Sequence, residues 1–339
     1  MKVRQAIIMV GGKGTRLRPL TENKPKPMLS VADKPCIWYL LRSMARAGIE
    51  EVILACGYKP GMMESLGDGS DLGIKIIYAY EDEPLGTAGA IKNAESRLDD
   101  VFIAANGDIF ADIDVKKEVE THLQSGALIT ISLTAVDNPS EFGIARVDDT
   151  GRILEFKEKP KPEEAFSNLI NAGIYVVNKS VLERVPAGFY DLSKDLIPIL
   201  MGEGKHIHSY LLDGIWMDVG RPRDLLEANL AVARREYGVK VFREAVECCT
   251  RDEFYLGPGA SIVNSTAVKT AISMGSSVKD SNLNRVLVLN NCRIEGARIS
   301  NSILGDGCVI GEGAEINNAV LADGAVVRPG EKIDGERQV

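Results

Sequence analysis

Short, largely apolar runs punctuate the first part of the chain, at Ala6–Val10, Glu51–Cys56, Ile74–Ala79 and Val101–Ala105. Runs this brief, apolar at successive rather than alternate positions, predict strands buried on both faces. Between the first two lies CIWYLLRSMARA, a helical stretch opened by Pro35 and stopped by Gly48. Strands alternating with helices predict βαβ units, and so an α/β fold: a Rossmann-like, mostly parallel mixed sheet with helices on both faces. Further runs at Ala127–Val136, Ile153–Pro160 and Leu169–Val177 add strands, and a helix is expected from Pro222. In such sheets ligands bind beyond the carboxyl ends of the strands.

From about Gly238 the pattern changes. Aromatic residues nearly vanish after Tyr255, while Gly, Asn and Ser rise. Apolar residues recur at Ile294, Ile299, Leu304, Ile310, Ile316, Leu321, Val327 and Ile333, five or six apart. Ile262, Val268 and Met274 begin the same series. The interval is too long for strand alternation and too irregular for a helix. It predicts hexapeptide coils of a parallel β-helix, roughly five of them. Two domains are therefore expected, residues 1–237 and 238–339.

Composition narrows the class. A chain of 339 residues accommodates two cores, and 45% hydrophobic with 26% charged residues is ordinary for a soluble globular protein. A net charge of −8 argues against a nucleic-acid partner. No apolar run approaches the length of a bilayer span, and the N-terminal run is too short for a signal-peptide core. No membrane partner is expected. Six cysteines include no Cys-x-x-Cys pair, and there are only three histidines, which argues against zinc and for a reducing, cytoplasmic location.

The densest chemistry lies in QAIIMVGGKGTRLRPLTENKPKPML, residues 5–29. Gly11, Gly12 and Gly14 let backbone N–H groups converge on an anion, and Lys13, Arg16 and Arg18 supply countercharge. Lys24 and Lys26 follow, held on a stiff extended segment by the adjacent prolines. The stretch reads as a polyphosphate cradle, but neither a P-loop nor the dinucleotide fingerprint fits its spacing. Further on, YEDEPLGTAGA (residues 80–90) offers Gly86 and Gly89 for close approach to a flat ligand and a helix start with free N–H groups. Asp108, just past a buried strand, can hold Mg²⁺, a hard cation that prefers carboxylate oxygen.

GGKGTRLRPLTENKPKPML resembles the signature of the sugar-phosphate nucleotidylyltransferases. The likeness extends over about the first 235 residues, and the remainder is similar to the left-handed β-helix that many members carry. The resemblance implies nucleotide binding by Gly11, Gly12, Gly14, Thr15, Arg16, Glu81, Gly86 and Thr87. It places metal-binding aspartates at Asp108, in Asn-Gly-Asp, and Asp218, in WMDVG. The sugar phosphate falls to Gly143, Glu158, Lys159 and Asn171, in the FGI, EKP and NAGIY segments. Phe142 departs from the family's usual Tyr. Arg16, Lys26, Asp108 and Asp218 are the expected catalytic set, with Mg²⁺ as cofactor.

Family members that bind thymine or uracil typically carry Gln at the position of Glu81. A carboxylate offers only acceptors, which suits the N1–H and N2–H₂ edge of guanine. The EPLGTAG wording is similar to the guanylyltransferases. The expected reaction therefore joins GTP and mannose 1-phosphate into GDP-mannose, with release of pyrophosphate. Thymidylyl or uridylyl transfer to glucose or N-acetylglucosamine 1-phosphate is the second reading. A catalytically silent regulatory subunit is the third, although such a chain is expected to lose one of the four catalytic residues, and all are present. Acyltransferases built on β-helices use a histidine there, whereas His122, His206 and His208 all precede it. The repeat region is better read as an assembly or regulatory surface of a homo-oligomer.

Overall fold

The structure, a computed structural model, describes residues 2–57, 60–237 and 249–335. The expected boundary after residue 237 abuts residues 238–248, Cys248 among them, which lie outside the described residues. Two compact units emerge, one formed by Met1–Gly12 with Ile37–Trp216 and the other by Lys13–Cys36 with Met217–Val339.

The first unit is built on a nine-stranded sheet. Its central strand, Gln5–Met9, runs parallel to Glu51–Cys56 on one side and to Val101–Asn106 on the other, with Ile7 opposite Ile53 and Ala104. Lys75–Tyr80 continues the parallel half. Ala6, Ile7 and Ile8 are all fully buried, as a strand covered on both faces requires. Beyond Val101–Asn106 the sheet becomes mixed. Leu169–Asn178 pairs antiparallel with that strand, with Ile129–Ala135 and with Gly143–Val147. Gly143–Val147 then turns through Asp148–Gly151 into antiparallel Ile153–Glu158. Asp148 Oδ1 accepts from the backbone N–H of Thr150 and Arg152, and so short a turn can only join antiparallel neighbours. Ile207–Leu211 closes this side, parallel to Ile129–Ala135. One face packs Ile7, Ile53, Phe102 and Ile131 against Ala88 and Ile91 of the helix Gly86–Asn93 and against Leu192 and Leu196.

The second unit is a parallel β-helix with the α-helix Pro222–Val232 and the segment 13–36. Ser261 lies opposite Ser277, Ser277 opposite Arg293 and Arg293 opposite Val309, so each coil advances by 16 residues. Val309 then meets Val326, a coil of 17. The inward column runs Ile262, Ala267, Ile272, Val278, Leu283, Val288, Ile294, Ile299 and Leu304, and on to Ile333. Two expected members are corrected. Val268 and Met274 yield their places to Ala267 and Ile272, and Met274 is 46% exposed. A 16-residue coil divides as five, five and six, so a strict six-residue count from Ile262 slips outward. The corners use left-handed backbone at Asn264, Asp280, Asn291, Asn301 and Asn318, residue types that tolerate it, which accounts for the rise in asparagine.

Candidate active site

The turn after Gln5–Met9 leaves Gly11, Gly12, Lys13, Thr15 and Arg16 exposed. A Cβ on Gly12 would meet nothing within 4 Å, so packing within the chain does not explain that glycine. Gly14 is different. Its φ of 58° is left-handed, and a Cβ there would lie 3.1 Å from both Lys26 Cβ and Thr21 Cγ2. Thr21 Oγ1 donates to Gly14 O at 2.8 Å and locks the turn onto the lysine segment. That segment, Lys26–Met28, is one 3₁₀ turn entered through extended Pro25.

Lys26 is only 5% exposed, unusual for a lysine, and its Nζ lies 3.2 Å from Asp218 Oδ1. Arg16 approaches Oδ2 of the same carboxylate at 3.8 Å. Two of the expected catalytic residues are thus gathered around the carboxylate of a third. Lys24, on the same stretch, is held by Asp306 and Asp323 of the β-helix. Burial disfavours its charge, but the two carboxylates outweigh that and hold its ammonium above the ordinary value. Sequence reasoning missed these aspartates. The available signal was the recurrence of Asp-Gly at 306–307 and 323–324, one coil apart.

In the first unit, Asp108 follows the strand Val101–Asn106 and is half-buried. Glu81 is likewise half-buried, whereas Asp82 and Glu83 beside it are exposed, so the acidic run is not uniformly a solvated surface. Burial pushes the Glu81 carboxyl above its usual range, opposed by the Leu85 N–H at 3.4 Å. At Gly86 and Gly89 the close approach is made by the chain itself. A Cβ would lie 2.7 Å from Tyr190 O at the first and 2.4 Å from Gly188 O at the second. Thr87 Oγ1 donates to Asp191 and accepts from Leu192 N at 2.7 Å, tying the same helix to the same loop.

The sugar-side candidates are also close neighbours. A Cβ on Gly143 would come within 2.6 Å of Glu158 Oε2, so the missing side chain makes room for that carboxylate. Burial raises the Glu158 pKa, and adjacent Lys159 offsets part of the effect. Lys159 has a left-handed φ of 45°, rare for a non-glycine residue, while its N–H donates to Phe142 O at 3.0 Å. Asn171 Nδ2 donates to Tyr175 Oη at 2.8 Å and Ser193 Oγ at 3.0 Å, and its Oδ1 accepts from Gly173 N. Trp216 of the WMD motif donates from Nε1 to Ala172 O at 2.8 Å and stacks edge-on against Phe142. An aromatic ring, with or without a hydroxyl, serves that packing.

By residue type, Asp108 and Asp218 each suit the magnesium that the resemblance implies. Asp108 and Asp218 offer hard carboxylate oxygens, and among the described residues no three His, Cys, Asp or Glu side chains gather to cage an ion. Phosphate oxygens and water would complete the shell, the usual manner of Mg²⁺.

A mixed sheet whose central parallel strand runs into a glycine-rich, cationic turn, followed by hexapeptide coils, defines an α/β transferase. The chain belongs to the nucleotidyl transferase family, matched over residues 5–235, and residues 259–338 match the GlmU-like, C-terminal hexapeptide family. It is similar to a mannose-1-phosphate guanylyltransferase of Mycobacterium tuberculosis, 36% identical over 90% of this chain and 82% of that one. It is also similar to a mannose-1-phosphate guanylyltransferase catalytic subunit beta of Drosophila pseudoobscura, 37% identical over 80% of this chain and 70% of that one. The crystal structure of a Bacillus anthracis protein described as a glucose-1-phosphate thymidylyltransferase superposes with a TM-score of 0.62. It is 26% identical and covers 69% of this chain and 96% of its own.

Proposed function

We propose that this enzyme transfers the guanylyl group of GTP to mannose 1-phosphate, forming GDP-mannose and pyrophosphate in the presence of Mg²⁺. The observation that carries the chemistry is the near-buried Lys26 ammonium and the Arg16 guanidinium converging on Asp218. Relatives named as mannose-1-phosphate guanylyltransferases over most of the chain support the substrate pair, as does the half-buried carboxylate of Glu81.

A phosphate oxygen of the sugar phosphate attacks the α-phosphorus in line. As that bond forms, the bond from the α-phosphorus to the bridging oxygen breaks, and pyrophosphate leaves with the electron pair. No covalent enzyme intermediate is needed, so catalysis is positioning and charge neutralisation. Amides of Gly11–Thr15 hold the triphosphate, and Arg16 neutralises the leaving pyrophosphate. Lys26 neutralises the α-phosphate and the incoming oxygen. Lys159 holds the attacking phosphate, with Glu158 and the Gly143 amide on the sugar. Asn171 already spends both amide protons within the chain, so its contribution is the shape of the NAG turn and one remaining acceptor lone pair. Asp108 and Asp218 would hold Mg²⁺, which would supply positive charge to the phosphates.

No helix of the described residues is long and apolar enough to cross a membrane. Cys36, Cys56, Cys292 and Cys308 are buried free thiols, which supports a reducing cytoplasm, and we extend the reading to a homo-oligomer. Pyrophosphate release, measured with GTP, dTTP, UTP and ATP crossed against mannose, glucose and N-acetylglucosamine 1-phosphates, tests the proposal. GTP with mannose 1-phosphate should lead; preference for dTTP or UTP refutes the base assignment, and silence throughout refutes the reaction.

A further inference from the structure

Lys24 and Lys26 are separated only by Pro25, yet their partners differ in kind. Lys26 faces Asp218, whereas Lys24, with a side chain 15% exposed, is held by Asp306 and by Asp323 at 3.2 Å. Those carboxylates sit one coil apart and are themselves fixed. Asp306 Oδ1 accepts from Asn290 N at 2.9 Å and Asn290 Nδ2 at 3.1 Å, and Asp323 Oδ1 accepts from Asp306 N at 2.8 Å. In both residues it is Oδ2 that faces Lys24.

The segment is pinned on the far side of Lys26 as well. Asn290 Nδ2 donates to Ser30 Oγ at 3.2 Å, and Asn229 Oδ1 accepts from Ala32 N at 2.7 Å. Ala32 adopts a left-handed φ of 54°, a conformation that costs a non-glycine residue energy and needs such a hold. Between these pins lies a single 3₁₀ turn of three residues, too short to fix its own direction.

We propose that Asp306 and Asp323 are positioning residues for nucleotidyl transfer. They clamp Lys24, and through the rigid Pro25 they set where the Lys26 ammonium meets Asp218 and the α-phosphate. The β-helix is then part of the catalytic apparatus rather than an appendage, an inference that rests on the reaction proposed above. An exposed ion pair contributes little, but here one largely covered cation meets two carboxylates that are already oriented. Two residues of chain span at most about 7 Å, so a shift at Lys24 is passed to Lys26 almost undiminished.

D306N/D323N tests the clamp, because Asn keeps both Oδ1 acceptors and replaces only the oxygens facing Lys24. The expected result is a kcat lower by about 10²-fold, the cost of misplacing a reacting group, with KM for the nucleotide changed by less than about threefold. The amides of Met28 and Leu29, which donate to Pro25 O at 2.9 Å and Lys26 O at 3.1 Å, should exchange faster with solvent. K24M/D306N/D323N removes the stranded charge, so its Tm should recover while kcat stays low. Wild-type kcat in the double variant, or recovery of kcat together with Tm in the triple, overturns the proposal. A wild-type protein inactive with every nucleotide and sugar pair refutes the reaction instead. Amide exchange then decides the clamp by itself, and unchanged exchange overturns it.

Discussion

Lys26 Nζ lies 3.2 Å from Asp218 Oδ1 although 192 residues of chain separate them. In the pair the carboxylate takes the place of water that burial removes from the ammonium. The pair also ties the WMDVG aspartate to the Pro-fixed segment, so the charge proposed to neutralise the α-phosphate is placed before substrate arrives. Lys26→Met, which keeps the aliphatic stem, is expected to lower kcat by about 10²–10³-fold. Activity within tenfold of wild type would remove Lys26 from the mechanism.

Asp108 and Asp218 make a second prediction through the metal. Dialysis against a chelator should abolish pyrophosphate release, and Mg²⁺ should restore it. Asp108→Asn keeps the shape but offers a weaker, neutral oxygen, so the Mg²⁺ concentration for half-maximal activity should rise and kcat should fall. A variant with the same magnesium titration as wild type refutes the assignment of Asp108.

How much of this was legible in the sequence follows from how far apart the interacting residues lie. The cradle was readable because Gly11 to Lys26 fall within one short stretch, and its residue types imply an anion without reference to the fold. The inward column of the β-helix was readable wherever the apolar residues were large, from Ile294 onward. It was misread at Val268 because the true core residue, Ala267, is too small to stand out. Lys24 falls within the cradle stretch, and its carboxylate partners could not be read there because they lie 282 and more residues away. Gly86 and Gly89 read as room for a ligand, yet the backbone of Gly188–Tyr190 already approaches them, a contact that only the fold creates.

Buried Glu118 gives a pH signature unrelated to substrate. It lies on the helix Val115–Ser125, and among the described residues neither carboxylate oxygen has a hydrogen-bond partner. Burial raises its pKa to about 8. His122 one turn on, held to Thr130 Oγ1 at 2.9 Å, is lowered to about 4 by burial and then by His208. Unfolded, the glutamate ionises near 4.5; folded, it keeps its proton to about 8. The native state therefore binds more protons in that window, and its contribution to stability falls as pH rises, levelling above pH 8. His122 acts in the opposite sense, because its unfolded ring takes up a proton below about 6.5 while the folded ring stays neutral. Glu118→Gln removes only the first effect. Its Tm advantage over wild type should widen from pH 5 to 8, and a constant gap refutes the buried, protonated carboxyl.

Glu81→Gln tests the proposed base recognition apart from catalysis. The carboxylate of Glu81 offers acceptors alone, matching two adjacent donors on guanine, whereas glutamine offers one donor and one acceptor, matching a pyrimidine O4/N3 edge. A hydrogen bond to a charged group contributes about 1.5–3 kcal/mol, so the preference for GTP over dTTP in kcat/KM should fall by about 10–100-fold. The kcat with the better nucleotide should move little, since Lys26, Arg16 and the aspartates are untouched. The wild-type enzyme should also show the effect through pH. Burial holds the Glu81 carboxyl above its usual range, so it protonates earlier than an exposed glutamate as pH falls. KM for GTP should then rise toward acid pH in wild type and stay flatter in the variant. An unchanged GTP to dTTP ratio in Glu81→Gln would move base recognition to another residue and leave the transfer chemistry standing.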